Sequence, residues 1–140
     1  MKKKTAVVVL VDGENISHKK APEINALTAR LGSVAERKVY HRQKDPVTRP
    51  WTEKARRHAY RDICLAGAPE KNKVDKKIIK DARRSLKAPD VDMLCVVSSD
   101  SDFCCLAAEA DSAGKKLCFI GGKNASKKLR NSGAKFMKLT

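Results

Sequence analysis

Runs of apolar, largely β-branched residues alternate with segments of helical periodicity along the whole chain, and that alternation leaves few architectures open. Apolar strands joined by amphipathic helices make βα units around a parallel sheet, with helices packed on its faces. The first run, Thr5 to Val11, reads Thr-Ala-Val-Val-Val-Leu-Val, and such an unbroken apolar stretch predicts a strand covered on both sides. A helix is expected around Pro22 to Leu31, where Ile24, Leu27 and Leu31 share a face and Gly32 is placed to end it. Further strands are expected near 34–41, 62–66, 91–98, 115–120 and 134–139, with helices near 51–59, 74–86, 102–113 and 124–131. The expected fold class is α/β, a three-layer α/β/α arrangement on a central, mainly parallel sheet. A chain of 140 residues suits one domain, and no repeat, low-complexity tract or linker divides it.

Charge narrows the partners. Lys and Arg number 31 against 16 Asp and Glu, a formal net charge of +15, and such an excess gathers polyanions, nucleic acid ahead of an anionic membrane. The longest apolar run, Ala6 to Val11, is far shorter than the roughly 20 residues of a spanning helix. Lys2-Lys3-Lys4 imitates the start of a secretory signal, but Asp12 and Glu14 stand where a cleavage site belongs. The expectation is a cytoplasmic protein with no membrane partner. Five cysteines without C-x-x-C spacing predict neither a disulfide framework nor a zinc site. Cys64, Cys95 and Cys118 lie in apolar runs and are expected to be buried thiols. Six aromatic residues are too few for a base-stacking platform, so nucleic acid would be held mainly through phosphates. Neither a G-x-x-x-x-G-K-[ST] nor a G-x-G-x-x-G loop is present, and no nucleotide cofactor is expected.

In a chain so short of acids, their placement is informative. Asp12 ends the first predicted strand, and Asp100 and Asp102 follow the fourth. Open parallel sheets bind ligands beyond the carboxyl ends of their strands, where the winding reverses; if the first and fourth strands are neighbours, these three carboxylates converge. Helix capping by Asp100, Ser101 or Asp102 is the competing account, and it explains one acid only. Asp75 opens a helix leaving the same edge, with Ile78, Ile79, Ala82 and Leu86 at +3, +4, +7 and +11, which puts it on the core-facing stripe. Its own competing account is a favourable interaction with the helix N-terminus. Asp81 lies roughly 240° around that helix from Asp75 and reads either as a lesser metal ligand or as a partner of Lys77 or Arg84. Converging carboxylates raise one another's pKa unless a cation sits between them. Hard oxygen donors without His or Cys favour Mg²⁺ or Mn²⁺. An acidic pocket in a basic shell suits a phosphodiester, because a metal there can activate water and steady the leaving oxygen. Lys71, Lys73 and Lys123 fall in predicted loops at the same edge and are the first candidates for touching the strand to be cut.

Three segments in fixed order carry a resemblance: Val11-Asp12-Gly13-Glu14-Asn15-Ile16; Lys71-Asn72-Lys73-Val74-Asp75 leading to Asp81-Ala82; and Val97-Ser98-Ser99-Asp100-Ser101-Asp102-Phe103. They resemble the NYN domains of the PIN-like nuclease group, related to LabA-like bacterial proteins. Gly114-Lys115-Lys116, Ser126 to Leu129 and Phe136 are similar to that family's last βαβ unit. The similarity runs from about Thr5 to Leu139 and is weakest between Arg42 and Cys64. It implies a sheet ordered 3-2-1-4-5 and metal-dependent cleavage of RNA. Carried over residue by residue, it implies metal binding at Asp12, Asp75, Asp100 and Asp102, with Asn15 beside them and Asp81 as a lesser member. Ser99 stands where the family often has Gly, and the unmatched centre leaves the choice of substrate open. Two alternatives compete. One is a non-catalytic RNA-binding module on the same fold; the other is a haloacid-dehalogenase-like phosphatase, which needs a second Asp two residues after the first, where this chain has Glu14.

Overall fold

Parallel neighbours cannot be joined by tight turns, so each crossover must carry a longer connection, usually a helix. The computed structural model describes residues 4–43, 45–67 and 72–140, and in it one helix follows every strand but the last. The strands are β1 (Ala6–Asp12), β2 (Ser33–Arg42), β3 (Arg61–Leu65), β4 (Met93–Val97), β5 (Lys116–Gly121) and β6 (Lys135–Lys138). The helices between them are α1 (Ala21–Ala29), α2 (Pro50–Arg57), α3 (Lys73–Lys87), α4 (Cys105–Ser112) and α5 (Lys127–Arg130). The sheet is ordered β3-β2-β1-β4-β5-β6, and all its pairings are parallel. It thus extends the expected order of five strands by β6 and is parallel throughout.

Alternation along β1 divides the core. Val7, Val9 and Val11 pack with Ile24 of α1 and Trp51 of α2 on one face. Val8 and Leu10 pack with Val74 and Ile78 of α3 and Leu106 of α4 on the other. Both faces of the valine run are therefore covered, as its composition predicts. The chain winds outward from β1 to β3, crosses back by α3, and winds the other way from β4 to β6, so the reversal falls between β1 and β4.

Several details differ from the sequence reading. The helix expected over 102–113 is split into a 3₁₀ turn, Ser101–Cys104, followed by α4. Cys64 is exposed, whereas Cys95 and Cys118 are buried and face each other across β4 and β5; β3 is an edge strand, so its apolar run has no neighbour on one side. On α3, Asp75 is on the stripe but only half-buried, while Asp81, at the edge of the stripe next to Val74, is buried along with Val74, Ile78, Ala82 and Leu86. Among the described residues, no helix is long and apolar enough to cross a membrane.

Candidate metal centre

The turn after β1 is fixed by close backbone packing. Gly13 donates its N–H to the Tyr40 carbonyl at 2.8 Å, and a Cβ on Gly13 would lie 2.7 Å from that oxygen. Only glycine lets the chain turn this closely over β2. The turn leaves Asp12 pointing into the switch point, 2% exposed. Its carboxylate accepts the Ser98 hydroxyl at 2.9 Å and the Glu14 N–H at 3.2 Å. Ser98 Oγ in turn accepts the Asp100 N–H at 3.2 Å. Asn15 Oδ1 accepts the Ser99 N–H at 2.9 Å, and Ser99 Oγ accepts the Gly122 N–H at 3.0 Å. Ser99 therefore ties together the loops that follow β1, β4 and β5.

Asp75, Asp100 and Asp102 present carboxylate oxygens that all lie within 4.8 Å of one another. Asp75 comes from the first turn of α3, entered through Asn72 in the left-handed region at φ 62°. Asp100 Oδ1 accepts the Asp102 N–H at 2.9 Å and caps the 3₁₀ turn. Capping and clustering are thus both true of Asp100 and do not compete. Asp12 lines one cleft with Asp75 and Asp100 but is not one of the three; its charge acts on Asp75. Burial pushes Asp12 up to about 6 against the lowering effect of its hydrogen bonds, with the Asp100 charge adding to the rise. Burial again leads at Asp75, which is pushed up to about 7, and the charges of Asp12, Asp100 and Asp102 add to it. At both groups burial is the larger cause and like charges add to it.

The cleft over these groups encloses about 190 Å³ and is lined by Asp12, Asn15, Asp75 and Asp100 together with Glu14, Arg42 and Lys73. Arg42 Nε donates to Glu14 Oε1 at 2.6 Å on its wall. A hollow of about 760 Å³ beside α4 and β6 is larger but holds none of the candidate residues, so chemistry rather than size selects the small cleft.

The remaining candidates fall in different places. Asp81 is not brought into the trio: its oxygens take the Tyr40 hydroxyl at 2.7 Å and the Lys77 ammonium at 3.2 Å. Burial alone would raise its carboxyl, but Tyr40 and Lys77 outweigh that and hold it below the ordinary carboxylate value. Asp81→Ala should leave the buried Tyr40 hydroxyl without its acceptor and cost about 1–3 kcal/mol in urea unfolding. Its Mn²⁺ affinity should stay within a fewfold of the parent; loss of metal binding would return Asp81 to the ligand set. Lys73 lines the cleft and donates to the Ala66 carbonyl. Lys123 is exposed beyond β5, in a neighbouring groove with Lys20 and Asn15. Lys71 lies outside the described residues. Sequence reasoning missed Ser98 and the Glu14–Arg42 pair. Ser98 carried a signal, as a hydroxyl directly after an apolar strand, whereas Arg42 sits where the family pattern fades.

NYN domains form part of the PIN-like nuclease superfamily, and the chain's sequence places it there. Within it the chain belongs to the NYN domain family, which it matches over residues 6–140. No curated protein matches the sequence. The whole chain aligns with 97% of the crystal structure of a protein of unknown function from Vibrio parahaemolyticus, at 21% identity and a TM-score of 0.82, a likeness that shows the fold.

Proposed function

We propose that the protein is a ribonuclease that hydrolyses RNA phosphodiesters with water activated by Mg²⁺ or Mn²⁺. The observation that carries this reading is the meeting of three carboxylates within 4.8 Å at the carboxyl edge of the sheet. The residues fit a hard divalent ion: the donors are all carboxylate oxygens and lie close enough together to share one. Asp75, Asp100 and Asp102 would hold the ion, with Asp12 lining the same cleft. When bound, the ion supplies positive charge to the phosphoryl oxygens and makes water a nucleophile near neutral pH. The chain's own groups do the rest. Asn15 is fixed through its Oδ1 by Ser99, which leaves its amide hydrogens for a phosphate oxygen. Arg42 and Lys73 on the cleft wall offset the charge of the phosphates on either side, and Lys123, with Lys71, would extend that contact along the strand. Five free thiols suit a reducing compartment, and we place the protein in the cytoplasm.

Incubation with structured and unstructured RNA in Mn²⁺, Mg²⁺ or EDTA tests the reading. Attack by water on phosphorus with O3′ leaving should give a 5′-phosphate and a 3′-hydroxyl, and because the ribose 2′-hydroxyl is not the nucleophile no 2′,3′-cyclic phosphate should form. A 2′,3′-cyclic phosphate, or cleavage that survives EDTA, would overturn the mechanism. RNA binding without cleavage in either metal would favour the non-catalytic module.

A further inference from the structure

The solvent face of α3 carries one sign of charge. At about 100° per residue, Lys73, Lys76, Lys77, Lys80, Arg83, Arg84 and Lys87 fall within roughly 120° of one another. They lie opposite Val74, Ile78, Ala82 and Leu86, which are buried on the sheet. An amphipathic helix ordinarily mixes acids into such a face and gains from i,i+4 pairs. Here both acids of α3 lie elsewhere, Asp75 in the carboxylate trio and Asp81 under Tyr40 and Lys77. Lys76–Lys80, Lys80–Arg84 and Arg83–Lys87 are like-charged i,i+4 pairs, each of which weakens the helix. Glu109 of α4 reaches across to Arg83 at 2.7 Å, while Lys80, Arg84 and Lys87 remain exposed. A polyanion laid along this face would turn the repulsion into attraction.

The aromatic residues indicate what kind of polyanion. Tyr40, Trp51, Phe103 and Phe119 are fully buried, and Tyr60 is 6% exposed. Phe136 is half-buried with the Arg130 guanidinium over its ring. None is presented for stacking on a base, and stacking is what sequence-tolerant single-strand binding depends on. A double helix hides its bases and offers two backbones in fixed array, which suits a surface that can address phosphates only. Position completes the argument. The first turn of α3 lines the cleft through Lys73 and Asp75, and the basic face runs from there to Lys87, about 16 Å from Lys76 at a rise of about 1.5 Å per residue.

We propose that this face of α3 seats the backbone of a double-helical segment of RNA, from which the strand to be cut passes into the acidic cleft. The inference rests on the ribonuclease reading for its choice of RNA and not for the binding itself. The test compares Lys80→Gln/Arg84→Gln/Lys87→Gln with a control of equal charge change on the β6 side, Lys127→Gln/Lys128→Gln/Lys135→Gln. Binding of a short RNA duplex, and of one of its strands alone, is measured by fluorescence anisotropy in EDTA over a range of salt. The parent should prefer the duplex. The α3 variant should lose at least about tenfold in duplex affinity near 0.1 M salt, and its slope of log affinity against log salt should fall by about two to three units. The control should lose less than half as much on both measures. An unchanged slope, equal losses in the two variants, or a loss confined to the single strand would overturn the proposal. Because binding is read in EDTA, failure of any RNA to be cleaved would sink the ribonuclease reading and leave this one standing. Cleavage with duplex binding indifferent to α3 would do the reverse.

Discussion

Asp75→Asn should slow metal-supported RNA cleavage by about a hundred- to a thousandfold, while RNA affinity in EDTA is kept or improved. The substitution preserves shape and removes one negative charge from three oxygens that lie within 4.8 Å. Losing a group aimed at the charge that moves in a transition state typically costs that much in rate. Binding should not suffer, because a carboxylate beside phosphate opposes association. Asp100→Asn is the companion test. Asn caps a helical turn about as well as Asp, so the hydrogen bond to the Asp102 N–H can survive while the charge is lost. Single-turnover cleavage at saturating Mn²⁺ gives the rates. A decline of less than tenfold in Asp75→Asn would remove that residue from the reacting centre and shift the weight to Asp12 and Asp100.

How much of this could be read beforehand follows from which interactions are local. An acid at the end of an apolar run is a property of a few neighbouring residues, and Asp12, Asp100 and Asp102 were legible for that reason. Their meeting needed one further fact, that β1 and β4 are neighbours, and this came from the winding rule and the family resemblance. Asp75 and Asp81 show where local reasoning fails. Helical periodicity put Asp75 on the stripe and Asp81 away from it, yet Asp75 is half-buried and Asp81 is buried. What distinguishes them is what each meets: Asp81 meets Tyr40, 41 positions away on β2, and Asp75 meets the loop after β4. Ser98 and Asp12 are 86 positions apart, so no local pattern joins them. Cys64 was misjudged because an apolar run does not reveal whether its strand will lie at the edge of the sheet.

The other large effect expected is on stability. In the absence of metal, Asp12 is held up to about 6 and Asp75 up to about 7, against an ordinary value of 3.8. Both folded values lie above the unfolded ones, so between them the native state binds more protons than the unfolded chain. Stability from these groups is therefore complete below about pH 4 and is lost as pH rises through 6 and 7. Asp75 is only half-buried, and solvent screening holds its contribution to on the order of 1–2 kcal/mol. Asp75→Asn cannot ionise and should melt a few degrees higher than the parent in EDTA near pH 8, with the difference vanishing near pH 4. Mn²⁺ should reverse the order: at a hundred times its Kd the ion stabilises the parent by about 2.7 kcal/mol and the variant by much less. Asp75 suits this experiment better than Asp100, whose cap makes a separate contribution to the fold. A lower melting temperature for Asp75→Asn in EDTA near pH 8 would mean that attraction between this carboxylate and the N-terminus of α3 outweighs both its burial and the repulsion from Asp12, Asp100 and Asp102. The acids could then sit together without strain, and the metal reading would rest on their geometry alone.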